Sequence, residues 1–240
     1  MAAGAATLRI RAISLDLDDT LWPVEPAITA AEHALDAWLR REHPAVAAVW
    51  PIPAMRALRE RIAAERPDLA HDFSAQRRLA LAHAFGHCGA DGRHVDAAYE
   101  VYFAARNRVD CYADALPALT RLSARFPLVS VSNGNADLAR IGLDHHFAHS
   151  VSARECGVAK PHPAIFREAC ALLGLRPEHV LHVGDDPQAD VAGARSAGLR
   201  TAWLNRHARP EPAGLRADVE FRDLGELARW LDAPTAATTT

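Results

Sequence analysis

Ile13-Ser14-Leu15-Asp16-Leu17-Asp18-Asp19-Thr20 is the stretch on which the reading of this chain turns. It closes an apolar run from Leu8 to Leu15, interrupted on alternate positions by Arg9 and Arg11, and it crowds three carboxylates into four residues. A strand turns residues i and i+2 to the same side, so Asp16 and Asp18 are expected to project together from its carboxyl end. Ligand sites in open α/β sheets lie at that end of the strands. Like charges held so close are costly unless a cation sits between them or one carries a proton. A strand that merely runs into an acidic turn has the same residues, so the rest of the chain must decide.

Outward from this stretch, the bulk properties set bounds. A chain of 240 residues, 50% apolar, can bury a full core and suits one domain with an inserted lobe, or two small domains. A net charge of −3 gives no basic footprint for nucleic acid and no polybasic membrane signal. No apolar stretch approaches the roughly 20 residues of a spanning helix. The first seven residues lack the charged and apolar regions of a signal peptide. Cysteines at 88, 111, 156 and 170 have no CxxC spacing, which suits reduced thiols and a cytoplasmic location. Residues 1–7 and 233–240 are small-residue tails expected to fray.

One imbalance stands out. Of 27 basic residues every one is arginine except Lys160. Arginine is a broad planar fork and lysine a compact charge on a thin stem, so the lone lysine is a candidate for a confined site.

Taken in order, Pro23 and Pro26 suggest a short irregular connection after Thr20. Helical spacing then predicts helices over 28–41 (with Thr29 as cap), 53–65, 74–85 and 95–107. No strand candidate interrupts residues 27–108, which reads as a helical insertion. Beyond it, strands at 127–132, 149–151, 180–183, 200–204 and 218–221 alternate with helices at 114–125, 136–142, 163–173, 188–197 and 224–231. That alternation implies an α/β fold, a doubly wound parallel sheet covered on both faces.

Four stretches fall just past predicted strands or at loop starts: Asp16-x-Asp18-x-Thr20, Ser132-Asn133-Gly134, Lys160-Pro161 and Gly184-Asp185-Asp186-x-x-x-Asp190. In this order they resemble the four motifs of the haloacid-dehalogenase-like hydrolase superfamily. The surrounding words, Leu21-Trp22 and Lys160-Pro161-His162-Pro163 among them, look like the branch with a helical cap inserted after the first motif. Within it the chain looks most like small-metabolite phosphatases, including those acting on flavin mononucleotide or its phosphorylated precursor. The resemblance implies a Rossmann-like catalytic core over 8–24 and 110–232 and a helical cap over 25–109.

It also implies roles. Asp16 would be the nucleophile, forming an aspartyl-phosphate that divides one hard displacement into two. Asp18 would protonate the leaving oxygen and later take a proton from the attacking water. Mg²⁺ would be held by Asp16, the backbone carbonyl of Asp18, and Asp185. Lys160 would set its ammonium beside the nucleophile, with Ser132 and the backbone around Asn133 and Gly134 on the phosphoryl oxygens. Thr20 is expected near the second acid and among the substrate contacts, and Trp22 at the substrate entrance. Asp190 and Asp186 are expected behind these groups, Asp190 holding Lys160 or a metal-bound water. The adjacent acids Asp185 and Asp186 are not separated by sequence.

The implied partner is a small phosphorylated metabolite, with neither nucleic acid nor membrane, and both a monomer and a homodimer fit. A 2-haloacid dehalogenase of the same fold releases halide, needs no proton donor and no metal, and leaves Asp18 and Asp185 without a use. Phosphoryl mutases share every motif here, so that activity stays open. A receiver-like signalling domain also pairs acids with Ser/Thr and Lys, but is about half this length and has no helical insertion. Among the remaining polar residues, His83 and His87 stand at i, i+4 and could start a zinc site, with no third ligand close in sequence. His145, His146 and His149 read as a solvated loop, His162 as a helix cap, Tyr99, Tyr102 and Phe103 as helical-insertion core, and Arg77-Arg78 as a solvated face.

Overall fold

The structure is a computed structural model that describes residues 9–233. Leu8 and the tails at 1–7 and 234–240 lie outside them.

The first strand, β1 (Ala12–Leu15), is buried along its whole length. That is what an apolar strand in the middle of a parallel sheet requires, since both faces are covered. With β2 (Leu128–Ser132), β3 (His149–Ser152), β4 (Val180–Gly184), β5 (Arg200–Leu204) and β6 (Val219–Phe221) it forms a six-stranded sheet in the order β3-β2-β1-β4-β5-β6. Every pairing is parallel. All carboxyl ends therefore share one edge, with the loops after β2 and β4 on either side of the loop after β1. Ser14 is the register partner of Val129 in β2 and of His182 in β4.

The described residues divide into two compact units, residues 9–22, 110–134 and 143–233, and residues 23–109 with 135–142. In the first, the sheet is joined by α6 (Ala115–Ser123), α8 (Ala153–Cys156), α9 (Pro163–Leu173), α10 (Gly193–Ser196) and α11 (Leu224–Asp232). Ile165, Phe166, Ala169 and Cys170 of α9 pack on Val129 and Val131 of β2 and Val151 of β3. The helical unit holds α1 (Val24–Glu42), α2 (Pro44–Val49), α3 (Ile52–Glu65), α4 (Phe73–His87), α5 (Val95–Arg106) and α7 (Leu138–Ile141). Its core is built from Leu35 and Leu39 of α1, Met55, Leu58 and Ile62 of α3, Leu81 and Phe85 of α4, and Tyr99 and Tyr102 of α5, the last two as expected.

Several details differ from the sequence reading. Helix α1 starts at Val24, with Pro23 at the cap position and Pro26 in the first turn, and Thr29 caps nothing. Prolines suit a first turn because those N–H groups have no partner within the helix. Pro44, just past the end of α1, opens a further helix, α2. Residues 135–142 group with the helical unit: the Asp137 N–H donates to Asn107 Oδ1 at 2.7 Å, and Arg140 pairs with Glu100. Arg77 is buried rather than solvated, its guanidinium 3.5 Å from the centre of the Tyr102 ring. The helix expected from Gln188 begins instead as a wide π-helical turn, Pro187–Ala192, before α10. None of the described helices is long and apolar enough to cross a membrane.

Candidate active site

The acid stretch leaves the sheet later than β1 itself, because the Asp16 N–H still donates to the Val183 carbonyl at 2.9 Å. The chain then folds back on itself. The N–H groups of Thr20 and Leu21 both reach the Leu17 carbonyl, and the N–H of Asp19, whose φ is +58°, donates to the Trp22 carbonyl at 2.7 Å. Aspartate is among the few residues that adopt this left-handed conformation with little penalty. The turn buries Asp16 and leaves Asp18 half-buried.

Two expected substrate contacts are taken up inside this turn. Thr20 is fully buried and donates to Asp16 Oδ2 at 3.2 Å, so it meets the first acid rather than the second. Trp22 is also fully buried, and its indole N–H donates to Asp18 Oδ1 at 2.8 Å. It therefore supports the acid and is not open to line an entrance.

After β2, Ser132 Oγ accepts the Gly134 N–H at 3.0 Å. Gly134 lies so close to Asp18 that a Cβ there would stand 2.4 Å from Asp18 Oδ2. The Asn133 side chain has a further part, beside the expected role of the backbone there. Its amide donates to the Lys160 carbonyl at 2.9 Å and its carbonyl oxygen accepts the Lys160 N–H at 2.7 Å. The side chain thereby clamps the lysine backbone.

Lys160 points inward, its side chain 3% exposed. Its ammonium donates to Asp16 Oδ1 at 2.5 Å and to Asp190 Oδ1 at 2.7 Å. Burial works against the charge, but the two carboxylates outweigh it and hold the ammonium above its usual range. Asp190 is also buried, yet Lys160 and the His182 N–H hold it well below the usual carboxylate range. Its other oxygen accepts the Asp186 N–H at 3.0 Å. Asp16 has less help: burial, with Asp190 and Asp18 nearby, pushes it up to about 8 despite Lys160. Asp185 is pushed up to about 7 by burial and by Asp190 and Asp19, although Arg209 reaches it. Asp186 is exposed and caps the following turn through the N–H groups of Gln188 and Ala189, which separates the two adjacent acids. The capping role replaces the expected one behind the site.

This charge balance bears on a metal. Asp16, Asp185 and Asp190 bring carboxylate oxygens within 4.8 Å of one another, the only such group of three among the described residues. Asp190 has both oxygens engaged, whereas Asp16 and Asp185 are acids that burial leaves under-compensated. An all-oxygen set short of positive charge fits a hard divalent cation such as Mg²⁺. His83 and His87 are exposed rings flanking Trp50, with no third ligand among the described residues to make a zinc group. His162 caps α9, and His146 is half-buried against Ser123 while His145 and His149 are exposed.

Three participants escaped the sequence reading: Ser14 and His182 on the strands, and Arg209, which donates to the Asp185 carbonyl at 2.6 Å. The first two carry a signal in retrospect. Each is a polar residue inside a buried strand, two positions before Asp16 and Gly184 respectively.

Residues 10–198 match the family of hydrolases described as haloacid dehalogenase-like. The chain belongs to this family and is an enzyme, a hydrolase. It is 30% identical over 223 residues to the 5-amino-6-(5-phospho-D-ribitylamino)uracil phosphatase YigB of Escherichia coli, covering 91% of this chain and 92% of that one. It is 39% identical over 134 residues to phosphoserine phosphatase of Thermus thermophilus, 53% of this chain and 54% of that one. Among solved structures it resembles a 2-haloacid dehalogenase from Pseudomonas syringae pv. Tomato, with a TM-score of 0.87 and 37% identity over 92% of this chain and 98% of that one.

Proposed function

We propose that the enzyme is a Mg²⁺-dependent phosphatase that hydrolyses phosphomonoesters of a small metabolite through a phosphorylated Asp16. The observation that carries this reading is Asp18. A second carboxyl, held by Trp22 and set against the Gly134 backbone, is available to protonate a departing alcohol. A departing halide takes no proton.

In this scheme Asp16 attacks phosphorus with its free oxygen lone pairs, while Thr20 and Lys160 fix the carboxylate's orientation. Lys160 offsets charge on the transferring phosphoryl, and the Ser132 hydroxyl, which accepts from the Gly134 N–H, keeps its own proton to donate to a phosphoryl oxygen. Asp18 gives its proton to the leaving oxygen, then accepts one from the water that cleaves the aspartyl-phosphate. Mg²⁺, held by Asp16, Asp185 and the Asp18 carbonyl, would supply positive charge shared between nucleophile and phosphoryl.

The likeness to a solved 2-haloacid dehalogenase favours a second reading, halide displacement by Asp16. One experiment separates the two. Phosphate release from an aryl phosphate and chloride release from 2-chloropropionate are measured with and without chelator. Phosphate release that chelator abolishes supports the phosphatase; chloride release that survives chelator, with no phosphate release, supports the dehalogenase. Phosphoserine and a phosphorylated ribitylaminouracil, the substrates in the relatives' names, head the substrate screen.

A further inference from the structure

We propose that His182 is a positioning residue for catalysis, the one that sets Asp190, and through it Lys160, against the nucleophile. The inference rests on geometry that the reaction scheme above leaves unused. His182 lies in the middle of β4, in register with Ser14 of β1, and both side chains are buried on the same face. Ser14 Oγ lies 2.8 Å from His182 Nδ1. On the other side of the ring, His182 Nε2 lies 3.1 Å from Asp190 Oδ1, the oxygen that also accepts from Lys160. Phe166 packs edge-on against the imidazole, ring centres 4.9 Å apart at 83°, so the ring has no room to turn.

These contacts fix where the proton sits. An ionised carboxylate only accepts hydrogen bonds, so Nε2 must carry the hydrogen that bonds Asp190. The neutral ring then has a bare Nδ1, and the Ser14 hydroxyl donates to it. The result is a single directed line: Ser14 to His182, His182 to Asp190, and Lys160 between Asp190 and Asp16.

The line matters because of what it does to Asp190. Two donors meet on Oδ1 and the Asp186 N–H holds Oδ2, so the carboxylate has one orientation. Gly184 makes room for it, since a Cβ at that position would stand 2.2 Å from the carboxylate carbon. Without the imidazole donor, Asp190 would keep only the Asp186 N–H on Oδ2 and, on Oδ1, the flexible lysine that it is supposed to orient. Partners behind a catalytic group commonly have this effect on rate. A ring that merely filled core would need neither of these two polar contacts, and an apolar residue there would cost no desolvation.

Three variants and one spectrum test the proposal. Gln places an amide N–H close to where Nε2 stands, Asn reaches only as far as Nδ1, and Phe keeps the shape of the ring without either nitrogen. The rate measurements rest on the phosphatase reading; the spectrum does not. For phosphomonoester hydrolysis, His182→Phe and His182→Asn are expected to lower kcat about tenfold or more with KM little changed, and His182→Gln to recover most of that loss. In the wild-type protein, nitrogen NMR of His182 is expected to show a protonated Nε2 and an unprotonated Nδ1. A Phe variant with wild-type kcat, a Gln variant no better than Asn, a loss carried by KM, or a proton on Nδ1 would each overturn it. Absence of phosphatase activity in the wild type would sink the reaction and leave the spectrum to judge the geometry.

Discussion

The indole N–H of Trp22 donates to Asp18 Oδ1, four residues earlier, across the turn that closes the acid stretch. The bond holds one carboxylate oxygen while the other faces the Gly134 backbone. If Asp18 is the proton donor, its aim matters most when the departing oxygen is a poor leaving group. Trp22→Phe is therefore expected to lower kcat about tenfold for an alkyl phosphate and little for nitrophenyl phosphate, whose phenolate leaves unaided. Equal losses on both esters would place the effect of Trp22 elsewhere.

Gly184 gives a sharper test of the crowding behind the site. A methyl group here meets Asp190 at 2.2 Å, too close for any side-chain adjustment that keeps Lys160 and His182 bonded. Gly184→Ala should destabilise the fold by about 1–3 kcal/mol, as overpacking does. Turnover should fall about a hundredfold, because displacement of the carboxylate by an ångström carries through to Lys160. Thermal melts and initial rates on the same preparation measure both.

The parallel sheet and the segments that meet at its carboxyl edge were legible because each leaves a mark in the local pattern: apolar runs, a lone lysine, acids after glycine. What the sequence could not convey is which partner each polar group takes. Thr20 and Trp22 sit close to Asp16 and Asp18 in sequence, so a substrate role looked natural, yet folding back of the turn turns both onto those acids. The Asn133 side chain pairs with a backbone 27 residues later. Ser14 and His182 are 168 residues apart, and only the β1–β4 register brings them together. The connection expected around Pro23 and Pro26 was misjudged for a simpler reason, since proline opens a helix as readily as it breaks one.

Lys160→Arg tests whether the lone lysine is chosen for size. The ammonium sits between two carboxylates with its backbone clamped by Asn133, and the side chain is almost wholly enclosed. A guanidinium keeps the charge but not the shape. The expected loss is at least about tenfold in kcat, about 1.4 kcal/mol on the barrier. Wild-type rates would mean that charge alone suffices at this position.

Acid stability offers a test that does not depend on the reaction. Asp114 accepts from Arg206 through both oxygens at 2.9 Å and from the Leu224 N–H at 2.8 Å, while Arg206 also donates to the Thr20 carbonyl. The carboxylate thus ties the turn after β1 to the start of α11. Partial burial works to raise its pKa, but Arg206 and the N–H bond prevail and leave it below the ordinary 3.8. A carboxylate depressed in the folded state binds its proton more readily when unfolded. Its contribution is therefore complete above the ordinary value and disappears as pH falls through the lower, folded one. Asp114→Asn is expected to lower stability by about 2 kcal/mol at neutral pH. Denaturant melts should show the gap to wild type holding down to pH 4 and closing only in stronger acid, below the ordinary Asp value of 3.8. A gap of the same size throughout acid would mean that Asp114 acts by packing and not by charge.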